Sequence, residues 1–123
     1  MSTVLVIEDN PDNMLLINDI LEAHGYHVIQ AETGLLGVEM AEKELPSFII
    51  LDIQLPDIIG NEVLKKIRAI EKTQNIPVIA MTSYAMSGDK EKLLAEGCDG
   101  YVEKPIDPSI VMHQINEVLE GGL

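Results

Sequence analysis

The chain has 123 residues, of which 46% are hydrophobic, and its formal net charge is −13. This length suits one domain with a substantial core, so we predict a single domain over residues 1–123, without an attached output domain. The acidity argues against direct binding to nucleic acid or anionic lipid, and no apolar run approaches the roughly 20 residues of a membrane span.

The cysteine content and the amino end predict a cytoplasmic protein. Cys98 is the single cysteine of the sequence, so it cannot form an internal disulfide and suits a reducing compartment. Met1-Ser2-Thr3 leads directly into an apolar strand pattern, and we expect no signal peptide there.

Short apolar runs alternate with segments of helical spacing along the whole chain. The predicted strands cover residues 3–7, 27–31 (the weakest, expected at an edge), 48–52, 76–81 and 100–102. The predicted helices begin near Pro11, Gly34, Gly60, Ser87 and Asp107-Pro108. Five strands alternating with five helices predict an α/β fold, a parallel sheet with helices on both faces, but leave the strand order open. The residues expected to face the core include Leu15, Leu35, Leu36 and Ile110.

Polar side chains follow four of the predicted strands. The central run Phe48-Ile49-Ile50-Leu51 suits a strand buried on both faces, and it ends in Asp52. Parallel strands end at one edge of a sheet, where open α/β proteins bind their ligands. We therefore expect residues from the other strand ends to surround Asp52: Glu8, Asp9, Thr82 and Lys104.

The predicted carboxylate cluster points to phosphate chemistry. Glu8, Asp9 and Asp52 repel one another, so at least one pKa is raised unless Lys104 or a divalent cation offsets the charge. Oxygen ligands without a nearby His or Cys pair suit Mg²⁺ better than Zn²⁺. A carboxylate beside Mg²⁺ and a lysine can attack phosphorus to form an aspartyl-phosphate, and Asp52 is the predicted nucleophile.

These motifs resemble the receiver domain of two-component response regulators over essentially the whole chain. The resemblance rests on Glu8-Asp9-Asn10, on the strand ending in Asp52, on Thr82 and on Lys104-Pro105. Residues 10–13, 21–23, 51–56 and 85–89 are similar to DivK-like stand-alone regulators and to receivers of hybrid kinases. The resemblance implies a flavodoxin-like, doubly wound (βα)5 fold with strand order 2-1-3-4-5.

The resemblance also implies a phosphoacceptor and a metal site. Asp52 is expected to accept a phosphoryl group from a histidine kinase or a phosphotransfer protein. Asp9 and Asp52 are expected to bind Mg²⁺, with the Gln54 backbone carbonyl as a third ligand and Glu8 acting through water. The peptide bond before Pro105 is expected to be cis.

Further roles implied by the resemblance concern the phosphorylated state. Lys104 is expected to contact the phosphoryl oxygens and Thr82 to hydrogen-bond one of them. Tyr101 matches the switch aromatic, so the fourth helix, fifth strand and fifth helix form the expected partner-binding surface. Gln54 and Tyr84 flank the phosphoryl site; Gln54 cannot act as a base and Tyr84 is bulky, so we predict slow self-dephosphorylation.

Two alternatives to a phosphorylation-dependent switch with a downstream protein target stay open. One is a receiver-fold module that binds partners without using phosphate, although the intact set of acids, Thr82 and Lys104 argues against it. The other is a phosphatase of the haloacid dehalogenase type, which needs a second acid two positions after its nucleophile; here Gln54 occupies that position. We therefore expect no enzymatic turnover, and the sequence has no glycine-rich nucleotide loop.

Overall fold

A computed structural model describes residues 2–83 and 87–121, with the side chains of 87–90 left aside. Within this part of the chain, strands and helices alternate as predicted. The strands are β1 Thr3–Ile7, β2 His27–Ala31, β3 Phe48–Asp52, β4 Val78–Thr82 and β5 Gly100–Glu103. The helices are α1 Pro11–Ala23, α2 Gly34–Glu44, α3 Gly60–Ala69, α4 Ser87–Ala95 and α5 Val111–Leu119. Over these described ranges, no helix combines the length and apolarity needed to cross a membrane.

All neighbouring strands pair in parallel, in the order β2-β1-β3-β4-β5. This is the flavodoxin-like order that the family resemblance implied, and β2 lies at an edge as predicted. The central strand β3 pairs with β1 on one side and with β4 on the other. Asp52, its last residue, therefore lies between the ends of two neighbouring strands.

Successive residues of the strands face two different cores, because side chains alternate across a sheet. Phe48 and Ile50 pack on the side of α1 and α5, whereas Ile49 and Leu51 pack on the side of α2, α3 and α4. Each of these four residues is buried, which confirms the prediction of a strand covered on both faces. This rigid strand fixes the position of Asp52.

Helix α2 packs through small residues rather than through the leucines that the sequence suggested. Gly34, Gly37 and Ala41 are buried and Val38 and Met40 pack against the core, whereas Leu35 and Leu36 are exposed, so the predicted inward orientation was wrong for these two leucines. A Cβ added at Gly37 would lie 2.4 Å from Ile7 Cδ1. The small residues allow the helix backbone to approach β1 more closely than a leucine face would permit.

Two other predicted core residues are exposed, and the start of α5 differs from the prediction. Leu15 and Ile110 are both on the surface. Helix α5 begins at Val111 rather than at Asp107-Pro108. A turn over residues 108–110 precedes it, in which the Asp107 carboxylate accepts hydrogen bonds from the N–H and the hydroxyl of Ser109. Ile110 therefore belongs to this turn and not to the buried helix face.

We predict that Gly37→Ala destabilises the protein by about 1–3 kcal/mol, the usual cost of overpacking a core. Alanine is otherwise favoured over glycine inside a helix by roughly 0.5–1 kcal/mol, so the sign of the change tests the close contact with Ile7. The measurement is urea unfolding of Gly37→Ala, Ile7→Val and the double variant. The double variant should lose less stability than the sum of the single variants, whereas a stabilised Gly37→Ala would contradict the packing.

Candidate functional site

Lys104 joins the carboxylates of two different strands at one edge of the sheet. Its Nζ atom lies 3.1 Å from Glu8 Oε1 and 3.2 Å from Asp52 Oδ1. Asp9 lies beside them, since Glu8, Asp9 and Asp52 each offer an oxygen within 4.8 Å of the others. The structure thus brings together the three predicted acids and the predicted lysine, which are up to 96 positions apart along the chain.

Backbone pairing between strands continues one residue beyond β1 and β5 and so includes Glu8 and Lys104. The Glu8 N–H donates to the Ala31 carbonyl at 3.0 Å, which continues the pairing of β1 with β2. The Lys104 N–H donates to the Thr82 carbonyl at 2.9 Å, which continues the pairing of β4 with β5. The Lys104–Pro105 peptide bond is cis, as the resemblance implied. The sheet itself therefore determines where Glu8 and Lys104 lie.

Hydrogen bonds at the amino end of α1 position the loop that carries Glu8 and Asp9. The Asn10 side chain accepts hydrogen bonds from the Asp12 and Asn13 N–H groups, which confirms the predicted N-cap before Pro11. The Asn10 N–H in turn donates to Glu8 Oε2 at 3.3 Å. Asp9 lies between these residues and is exposed. One carboxylate of the cluster thus faces solvent, and the Glu8 carboxylate faces the protein interior.

The buried negative charge is only partly compensated by Lys104. Burial, together with the neighbouring Asp52 carboxylate, raises the pKa of Glu8 to about 7, although Lys104 acts in the opposite direction. Burial disfavours the charged form of Lys104, yet Glu8 and Asp52 outweigh it and raise the lysine pKa. One ammonium group beside three carboxylates leaves a net negative site, which favours binding of a further cation.

The residues at this edge fit a small, hard cation. Glu8 Oε1 is buried, and within the described part of the chain it contacts the Lys104 ammonium group at 3.1 Å, so it can still accept a cation. The cluster supplies carboxylate oxygens, the ligand type that Mg²⁺ prefers. Gln54, predicted to add its carbonyl, lies next to Asp52: its N–H donates to Asp52 Oδ1 at 3.0 Å, and its side chain is exposed.

The predicted switch residues lie on the neighbouring strands. Thr82 is buried at the end of β4, one position beyond Met81, the residue paired with Asp52. Tyr101 is half-buried on β5 beside a cavity of about 460 Å³ between this strand and α5. Tyr84, predicted to tune the lifetime of the phosphoryl group, lies outside the described residues.

Asp57 has a position that the sequence analysis did not foresee. Its carboxylate accepts hydrogen bonds from the Gly34 and Leu35 N–H groups at the start of α2, at 2.8 and 2.9 Å. These two hydrogen bonds hold the pKa of Asp57 below its usual value. An aspartate after Pro56 indicates only a local turn, so one sequence gave no signal for partners more than 20 positions away.

Comparisons with known proteins agree with this geometry. The family model described as "Response regulator receiver domain" matches residues 4–116. The polar-differentiation response regulator DivK of Brucella ovis is 43% identical over 104 residues, which make up 85% of each chain. DivK of Brucella anthropi is 42% identical over the same share of both chains.

Solved structures give the same result for the fold. Chemotaxis protein CheY4 of Vibrio cholerae has a TM-score of 0.90 at 25% identity, with 96% of this chain and 98% of that chain covered. The receiver domain of a sensor histidine kinase from Pseudomonas aeruginosa has a TM-score of 0.87 at 31% identity, with 97% and 98% covered. That receiver domain was solved with a magnesium ion coordinated in its active-site cleft.

We predict that Lys104→Met strengthens Mg²⁺ binding by about tenfold, because it removes a competing positive charge that contacts two of the acids. Isothermal titration calorimetry with MgCl₂ measures the change. Lys66→Met, which removes the same charge from the exposed side of α3, is the control and should bind Mg²⁺ like the parent. Unchanged or weaker binding by Lys104→Met would show that the lysine and the cation do not share this site.

Proposed function

The chain belongs to the response regulator receiver domain family, and from that premise we propose that it is a phosphorylation-controlled switch with Asp52 as its phosphoacceptor. The supporting observation is the contact of Lys104 Nζ with Asp52 Oδ1 at 3.2 Å inside the acidic cluster. The proposed donor is a phosphohistidine of a histidine kinase or of a phosphotransfer protein. The proposed output is binding of a downstream protein.

The phosphoryl transfer is a single displacement at phosphorus. Among the described residues, Lys104 Nζ and the Gln54 N–H both contact the Oδ1 atom of Asp52. Oδ2 is therefore the proposed attacking atom. An O–P bond forms from Oδ2 as the N–P bond to the donor histidine breaks, and the electron pair of that bond stays on the imidazole nitrogen.

Positive charge near Asp52 supports this step. Lys104 is already held in place by two ion pairs, so it can exchange carboxylate contacts for phosphoryl oxygens without a large movement. The proposed Mg²⁺ ligands are Asp9, Asp52 and the Gln54 carbonyl, with Glu8 acting through water. When bound, Mg²⁺ neutralises charge on the transferring group and on the acids around it.

The proposed aspartyl-phosphate is long-lived. Hydrolysis requires a water molecule placed and activated beside the phosphorus, and the exposed Gln54 side chain has no ionisable base. Tyr84, at the other flanking position, is proposed to hinder that water. The chain thus catalyses its own phosphorylation and a slow self-dephosphorylation, and is not proposed as an enzyme acting on other substrates.

Thr82 and Tyr101 are the proposed link between phosphorylation and partner binding. A phosphoryl group adds about −1.5 to −2 charges and strong hydrogen-bond acceptors, which can attract the Thr82 hydroxyl. Tyr101 then turns towards the space that the threonine leaves. Two such conformations must lie within a few kcal/mol of each other for one phosphoryl group to shift their populations.

The residues around the cavity beside Tyr101 indicate which kind of partner the proposed partner-binding surface fits. Its lining residues are Tyr101, Glu103, Pro105, Asp107, Ile110, Gln114, Glu117 and Val118. Three of these side chains are acidic, and Ile110 is a large exposed apolar residue. An acidic surface that includes an exposed apolar residue favours a protein partner over a nucleic acid. The proposal therefore includes no direct contact with nucleic acid.

Asp52→Asn tests the acceptor. The wild-type protein, incubated with acetyl phosphate and MgCl₂, should gain the mass of one phosphoryl group, whereas Asp52→Asn should gain none because an amide oxygen is a poor nucleophile. Intact-protein mass spectrometry provides the readout, and Asp19→Asn, on the exposed side of α1, is the control. Equal uptake by Asp52→Asn would refute the assignment, and no uptake by the wild type would favour a phosphate-independent interaction module.

Thr82→Ala tests the switch separately from the chemistry. This variant should still be phosphorylated at Asp52, but beryllofluoride should produce smaller chemical-shift changes at Tyr101 and along α5 than in the wild type. Two-dimensional NMR of both proteins, with and without beryllofluoride, measures the difference. If the changes at Tyr101 are as large in the variant, the threonine does not connect the two regions.

A further inference from the structure

We propose that Asp57 is a positioning residue, which holds the loop that carries Gln54 in place for Mg²⁺ by binding the amino end of α2. The inference rests on the proposed function, because it assigns the cation to the cluster around Asp52. Asp57 itself is exposed and is not one of the proposed ligands. Its effect on the site is therefore indirect.

The N–H groups in the first turn of α2 donate hydrogen bonds to two separate parts of the chain. Asp57 Oδ1 accepts from the Gly34 N–H at 2.8 Å, and Asp57 Oδ2 accepts from the Leu35 N–H at 2.9 Å. The next amide, that of Leu36, donates to Thr33 Oγ1 at 3.2 Å, which is the local N-cap. A carboxylate with both oxygens engaged at the positive end of a helix is a stronger contact than a neutral cap.

The loop held by Asp57 begins at the phosphoacceptor. At its start the Gln54 N–H donates to Asp52 Oδ1, and at its base the Gly60 N–H donates to the Ile53 carbonyl at 2.8 Å. A Cβ at Gly60 would lie 2.5 Å from Ile53 Cα, so the two ends of the loop are in close contact. Among the described hydrogen bonds of residues 54–59, those of Asp57 are the ones that reach a different helix.

Helix α2, which Asp57 contacts, is itself held in place by packing against β1. Helix α2 packs against β1 through Gly37 and Ile7, and Glu8 follows Ile7 directly. Asp57 thus connects the loop after β3 to a helix that is fixed on the strand leading to Glu8. Without Asp57 the loop keeps the apolar packing of Leu55 and Ile58 but loses these two hydrogen bonds to α2. Ordering the Gln54 carbonyl around the cation then costs additional conformational entropy.

Mg²⁺ affinity separates this role from a purely structural one. Asp57→Ala is expected to weaken Mg²⁺ binding by about three- to tenfold in isothermal titration calorimetry, and Asp57→Asn, which keeps one acceptor oxygen, by less. Thr33→Ala removes the other cap of the same helix turn and should lower stability while leaving Mg²⁺ affinity unchanged. Asp12→Asn removes one exposed negative charge near Asp9 and serves as the control for net charge.

A second readout does not depend on the cation. In amide hydrogen exchange, Asp57→Asn should speed exchange at Gln54 as well as at Gly34 and Leu35, whereas Thr33→Ala should speed exchange at α2 alone. Asp57→Asn also provides the test if Asp57→Ala does not fold. Mg²⁺ affinity and Gln54 exchange equal to those of Thr33→Ala would overturn the inference. A wild-type protein that binds no Mg²⁺ would contradict the proposed function as well, which distinguishes the two failures.

Discussion

The contact of Lys104 with two buried carboxylates is the interaction on which the site depends. Glu8 and Asp52 are almost completely buried, and burying two like charges together is costly unless a cation lies between them. Lys104 meets both within 3.2 Å. With Asp9 beside them, a single lysine leaves negative charge uncompensated. The same imbalance that would destabilise the native state favours binding of a divalent cation, and a bound cation would offset the negative charge of a phosphoryl group.

Parallel strand topology is what makes this arrangement possible. The ends of β1, β3, β4 and β5 meet at one edge, so each strand contributes a different side chain to the same small volume. Because β1, β3 and β4 are buried, the positions of their terminal residues are fixed by packing on both faces of the sheet. The loops at this edge need additional support, and the contact of Asp57 with α2 provides it for the loop after β3.

Much of the fold and of the site was predictable, since both follow from local patterns. The alternation of apolar runs and helical segments predicted the elements, and strand-end positions predicted the meeting of Glu8, Asp52 and Lys104. Leu35 and Leu36 of α2 were wrongly predicted to face the core, because hydrophobic spacing favours leucines while the observed packing selects Gly34 and Gly37. The role of Asp57 depends on a contact between distant segments, which a single sequence does not encode in any local signal.

Binding of a cation by the acidic cluster is tested by the free energy of unfolding as a function of Mg²⁺ concentration, measured for the wild type and for a Glu8→Gln, Asp9→Asn double variant. A cation that binds only the folded protein stabilises it by about 2.7 kcal/mol at one hundred times its dissociation constant. We expect such a rise in stability for the wild type and little or none for the double variant. A wild-type stability that does not respond to Mg²⁺, or an equal response of both proteins, would contradict this expectation.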